Sequence, residues 1–136
     1  MVCTTEAQNE LADALGMKPT SVTKPVWKDH VYSCTYVYPK GSFGLAVKEL
    51  VSDKATTDYF NAQKQRLGVQ ENLFGFAGQG AFIAKNDDVV VRKDYKVLLV
   101  DVKKVPKGTG TFVPAMVRPD IATNIASVIM NCWPGA

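Results

Sequence analysis

The sequence is poor in the side chains that most often carry chemistry. It has one histidine in 136 residues, His30, which excludes most metal sites built from imidazoles. Its three cysteines, Cys3, Cys34 and Cys132, are widely separated and form no C-x-x-C pair, so neither a zinc cluster nor a thioredoxin-like motif is predicted. Apolar runs such as Val89–Val91 and Val97–Val100 fall far short of the ~18 residues a membrane helix needs. No stretch near Met1 combines basic residues, an apolar core and a cleavage site, so no targeting segment is expected in this sequence. Charge of one sign is also lacking. Sixteen basic against thirteen acidic residues leave a net charge of +3, too mild to imply nucleic acid. What is present is ordinary globular composition, 46% hydrophobic and 21% charged, at a length that suits one domain spanning residues 1–136.

The cysteines allow three disulfide pairings, and spacing alone does not choose among them. The preferred pair is Cys3–Cys34, which would tie the start of a first helix to a first strand. An oxidising compartment goes with that reading. The alternative is three reduced thiols buried as small hydrophobes.

Thr5-Glu6-Ala7-Gln8 fits a capping box, followed by Ala7, Leu11, Ala14 and Leu15 at helical spacing and Gly16 as a stop. A first helix is therefore predicted over residues 4–15, and Pro19 and Pro25 punctuate the loop after it. From Trp27 to Tyr38 aromatic and β-branched residues predict one strand, with Tyr32, Cys34, Tyr36 and Tyr38 on one face. Pro39-Lys40-Gly41 turns the chain into a second strand, Phe43–Val51. Asp53 is expected to cap a second helix whose stripe is Tyr59, Phe60, Ala62 and Leu67, ending at Gly68.

Further strands are expected at 81–85, 89–93 and 96–103, with Asn86-Asp87-Asp88 and Asp94-Tyr95 as turns. Val97–Val100 is apolar on both faces and belongs in the sheet's centre. After a polar loop at 106–114, Ile121, Ala122, Ile125, Ile129 and Cys132 mark a buried stripe on a last helix that Asp120 opens, and Trp133-Pro134-Gly135 ends it. The predicted class is α+β: a mostly antiparallel sheet with helices packed on one face, in the order α-β-β-α-β-β-β-α.

Several of these segments resemble the small uncharacterised exported lipoproteins of actinobacteria. They are the cysteine-led helix ending in Ala14-Leu15-Gly16, then Ser33-Cys34-Thr35-Tyr36, then Gly78-Gln79-Gly80-Ala81-Phe82. Val91-Arg92-Lys93, Val97 through Val102, and Cys132-Trp133 are similar to that group too. The resemblance implies an envelope-anchored or secreted domain, a cysteine pair linking helix to strand, and no enzymatic activity. The sequence departs from such precursors in lacking a signal peptide and a lipid-attachment box, as though Met1 began a trimmed chain.

Candidate chemistry is sparse. His30 beside Asp29 and Ser33, or His30 with Cys132, would supply a base and a nucleophile, but a side chain at a strand edge and a thiol on an apolar stripe are the plainer readings. Asp87 and Asp88 suit backbone capping of a turn better than a metal site. The glycine run Gly75–Gly80 lacks the Lys-Ser/Thr of a phosphate loop. Arg92, Lys93, Lys96, Lys103, Lys104 and Lys107 concentrate positive charge around the second hairpin, as a solvated edge or as a contact for an anionic envelope polymer. Trp27, Tyr32, Tyr36 and Tyr38 would stack a ligand, anchor a partner, or form the sheet's inner face.

The functional expectation is a non-enzymatic binding or assembly module of the cell envelope, needing no cofactor and no metal. Its contact residues would be Trp27, Tyr32, Tyr36, Tyr38, Arg92, Lys93 and Lys96. Its partner is an envelope protein or component, with peripheral membrane attachment if lipid-anchored and no nucleic acid expected. The alternatives are a small hydrolase-like or thiol-dependent enzyme using His30 or Cys132, and a weak binder of nucleic acid or anionic polymer through the basic hairpin.

Overall fold

The computed structural model describes residues 2–74 and 79–133. Helix α1 (Thr5–Leu15) starts one residue earlier than the capping box suggests. Thr4, not Thr5, is the cap: its hydroxyl accepts from Ala7 N at 3.2 Å, and the Gln8 amide donates to Cys3 O at 3.1 Å. Gly16 stops the helix in the left-handed region at φ 72°, where glycine costs least.

The aromatic segment predicted as one strand is two. Asp29 and His30 both have positive φ, 53° and 60°, the geometry a tight two-residue hairpin wants. They separate β2 (Val26–Lys28) from β3 (Val31–Tyr38), which pair antiparallel with Trp27 opposite Tyr32. A short β1 (Ser21–Val22) pairs with the other end of β3 inside the proline-flanked loop. Pro39 and Lys40 then turn β3 into β4 (Gly41–Glu49). Gly41 is required there, because a Cβ would stand 2.5 Å from Lys104 O.

Helix α2 (Asp53–Leu67) is capped by Ser52, not Asp53. Ser52 is extended, as a cap residue must be, and its hydroxyl accepts from Ala55 N at 3.1 Å. Asp53 sits inside the first turn. Phe60 is buried as expected, whereas Ala62 faces water. The strands β5 (Val69–Asn72), β6 (Ala81–Ala84), β7 (Val89–Lys93) and β8 (Lys96–Asp101) follow, then α3 (Arg118–Asn131). In α3 Pro119 and Asp120 lie in the first turn, and Ile121, Ala122, Ile125 and Ile129 are buried.

The class is α+β. One antiparallel sheet of eight strands runs β1-β3-β4-β8-β7-β6-β5, with β2 beside β1 on the same flank of β3. The structure adds β1, β5 and the β2–β3 division to the predicted order. It puts β8 in the centre, as its apolar run implied. Alternation along the central strands splits the packing. Leu98, Val100, Val89 and Val91 face α1 and α3, while Val97, Leu99 and Val90 face Phe60 of α2. Helices therefore cover the sheet on one face as expected, and α2 adds a cover on part of the other. No described helix is long and apolar enough to cross a membrane.

Candidate functional site

Cys3 and Cys34 form a disulfide, with Cα atoms 6.1 Å apart and a separation of 31 positions in sequence. It pins the residues before α1 onto the middle of β3. Val2 is fully buried there, and its carbonyl accepts from the Tyr36 hydroxyl at 2.8 Å. The Tyr36 ring is also fully buried and stacks on Phe43 at 5.0 Å. Burial holds its phenol well above the usual range, and the neighbouring Tyr38 and Tyr32 raise it further. Tyr36 belongs to the core and offers no surface.

The two ends of the same aromatic row open into separate cavities. At the start of β3, Trp27, Tyr32 and Val47 lie side by side on adjacent strands. With Glu49 they line a shallow cavity of about 280 Å3. Trp27 is 54% exposed, and His30 meets its ring edge-on at 5.9 Å. At the far end, Tyr38 lines a cavity of about 340 Å3 with Met17, Lys18, Pro39, Lys40 and Phe112. Tyr38 contacts Phe43 and Phe112 at 5.7 and 5.1 Å. Its hydroxyl is buried with no hydrogen-bond partner among the described residues, and burial pushes its pKa up to about 12.

The basic residues do not converge. Arg92 donates to Thr57 Oγ1 at 2.7 Å and pairs with Asp53 at 3.2 Å, so its charge is spent holding α2 on the sheet. Lys93 and Lys96 face each other at the β7–β8 turn. This hairpin is central in the sheet, so they guard no edge. Lys103 and Lys104 lie beyond the opposite end of β8, whose strand carries the chain about 17 Å from Lys96 at ~3.3 Å per residue. There they line a cavity of about 170 Å3 with Thr35, Ser42, Gly44 and Asp101. Lys103 is already paired with Asp101 at 2.8 Å and with buried Asp88 at 3.5 Å.

Asp87 and Asp88 go further than capping a turn. Asp87 pairs with the nearly buried Arg118 at 3.0 Å, and Arg118 also donates to the carbonyls of Asn86 and Val105. Asp88 accepts from Val102 N at 2.8 Å and from the Asn86 amide at 3.2 Å. Burial raises its carboxyl above the usual range, against the lowering pull of the Val102 N–H. Together these bonds lock the β6–β7 turn to the start of α3. Among the described residues no group of three His, Cys, Asp or Glu side chains could hold a metal.

His30 is exposed in its turn. Cys132 caps the end of α3, half-buried rather than on the buried stripe, where burial and then Glu10 and Glu6 of α1 raise its pKa. Among the described residues no hydrogen bond joins the two: His30 meets Trp27, and Cys132 lies near Glu10 and Glu6. Of the glycine run, 75–78 lies outside the described residues, as do Met1, Pro134 and Gly135.

The sequence reading missed Val47 and Glu49 at one end and Met17, Lys18, Lys40 and Phe112 at the other. The first pair was readable once Asp29-His30 was taken as a hairpin turn, since register then sets Trp27, Tyr32 and Val47 in line. An α+β protein with one antiparallel sheet between unequal helix layers and a cavity at either end of one aromatic row is the class that the described residues define. The chain matches no protein-family model, no curated protein and no solved structure.

Proposed function

We propose that the chain is a non-enzymatic binding or assembly module of the cell envelope that docks a protein partner through the Trp27 corner. The observation that carries this is an indole more than half exposed, set beside Tyr32 and the Glu49 carboxylate over a shallow cavity. Aromatic residues so placed are typical anchors of an interface. An indole face with a carboxylate beside it suits a cationic side chain, an arginine or lysine of the partner, which gains a cation–π contact and an ion pair together.

The placement outside the cytosol is supported by the Cys3–Cys34 disulfide. The resemblance to exported actinobacterial lipoproteins points the same way, including peripheral attachment through a lipid. The separation of His30 from Cys132 and the structural use of Asp87, Asp88 and Arg92 favour binding over catalysis. The spread of the lysines favours a protein contact over a nucleic acid or anionic polymer.

The test is a titration of the whole chain with a capped Gly-Arg-Gly tripeptide, read by tryptophan emission. Trp27 is exposed and Trp133 is buried, so the response reports the corner. A saturable millimolar response that is weakened in Glu49→Gln is expected, and calorimetry on Trp27→Ala, which lacks the reporter indole, should find the binding lost. A response equal to that of capped Gly-Glu-Gly, or calorimetric binding retained in Trp27→Ala, overturns the reading.

A further inference from the structure

The cavity at the far end of β3 has a different chemistry. We propose that it binds an apolar group bearing a single carboxylate, either a free ring acid or the C-terminus of a polypeptide ending in an apolar residue. The walls supply the apolar half of that recognition. Met17, Pro39, the Tyr38 ring and Phe112 line about 340 Å3, at the low end of the volumes that hold small ligands. Lys18 and Lys40 supply the charged half. Both are exposed at the cavity, and neither enters a salt bridge among the described residues.

Two further features narrow the ligand. The adjoining depression shares Met17 and Lys18 but adds Asp13, so a second negative charge on that side would be repelled. That favours one carboxylate over a polyanion. The Tyr38 hydroxyl is buried and without a hydrogen-bond partner among the described residues, a costly condition that an acceptor oxygen would relieve if it reached the hydroxyl from this cavity. The proposal is independent of the Trp27 corner, which lies at the other end of β3.

Calorimetric titration of the whole chain at low salt with N-acetylphenylalanine, phenylacetate and N-acetylphenylalanine amide tests this. Both acids should bind, and the amide should bind about two- to fivefold more weakly, the scale of an exposed ion pair. Tighter binding of N-acetylphenylalanine selects a polypeptide terminus, and equal binding selects a free ring acid. The double variant Lys18→Gln/Lys40→Gln should erase the difference between acid and amide. Tyr38→Phe keeps its ring contacts and loses only the orphan hydroxyl, so it should fold and bind the acids about three- to tenfold more weakly. Trp27→Ala should bind them as the parent does. Equal affinity for acid and amide in the parent, or unchanged acid affinity in both the lysine and Tyr38 variants, overturns the proposal.

Discussion

Tyr32 and Tyr36 stand on the same face of β3, four residues apart, and their fates differ completely. Tyr36 is sealed beneath the segment that the disulfide pins down, with its ring on Phe43 and its hydroxyl on Val2. Tyr32 is only half-buried and shares an open cavity with Trp27 and Glu49. The residue type and the strand face are identical, so neither decides exposure. What decides it is where the N-terminal segment and its helix stop covering the strand.

That contrast predicts a graded series. Tyr36→Ala should produce the largest loss, about 3–5 kcal/mol by chemical denaturation, because it empties a filled core site and orphans a buried carbonyl. An unchanged midpoint would place Tyr36 outside the core. Replacing both Cys3 and Cys34 by alanine comes next. It frees a 31-residue separation and should cost about 3–4 kcal/mol on the loop-entropy account. A smaller loss would mean that packing at Val2 and Leu11 alone holds the cover in place.

Asp88 shows what burial does to a polar group away from β3. Its raised pKa means that the ionised form fits the fold less well than the unfolded chain. Its contribution should therefore make the protein more stable as pH falls through the folded pKa, and the gain is complete below the ordinary carboxylate value. Stability profiles of the parent and Asp88→Asn should converge on acidification. Parallel profiles would contradict the shift. Trp27→Ala should have the smallest effect, within about 0.5 kcal/mol, as befits an exposed side chain. A core-sized loss there would move Trp27 into the same class as Tyr36.

Much of this was legible in the sequence. The Ala7, Leu11 and Leu15 positions of the α1 stripe, the β3–β4 hairpin, the central place of β8 and the isoleucines of the α3 stripe follow from local pattern, whereas Ala14 is exposed and the Cys3–Cys34 pair was one preference among three open pairings. The parts that were not legible have identifiable causes. Asp29-His30 lacks the glycine that announces a two-residue turn, although Asp and His both tolerate positive φ. Strands β1 and β5 are two and four residues long, too short to show a period. The second helical face was missed because α2 buries only Thr56 and Phe60, a narrow stripe that says little about which side of the sheet it meets. At the candidate sites the aromatic residues could be read locally. The charged neighbours Glu49, Lys18 and Lys40 enter only through register and through the meeting of α1's end with the β3–β4 turn.

The most direct test of the open corner is residue-resolved nuclear magnetic resonance on the labelled chain during titration with the capped arginine tripeptide. Shift changes confined to Trp27, His30, Tyr32, Val47 and Glu49, with Tyr36 and Tyr38 unmoved, are the expected result. No change at Trp27, or changes centred on Lys93, Lys96 or Lys104 instead, would contradict it.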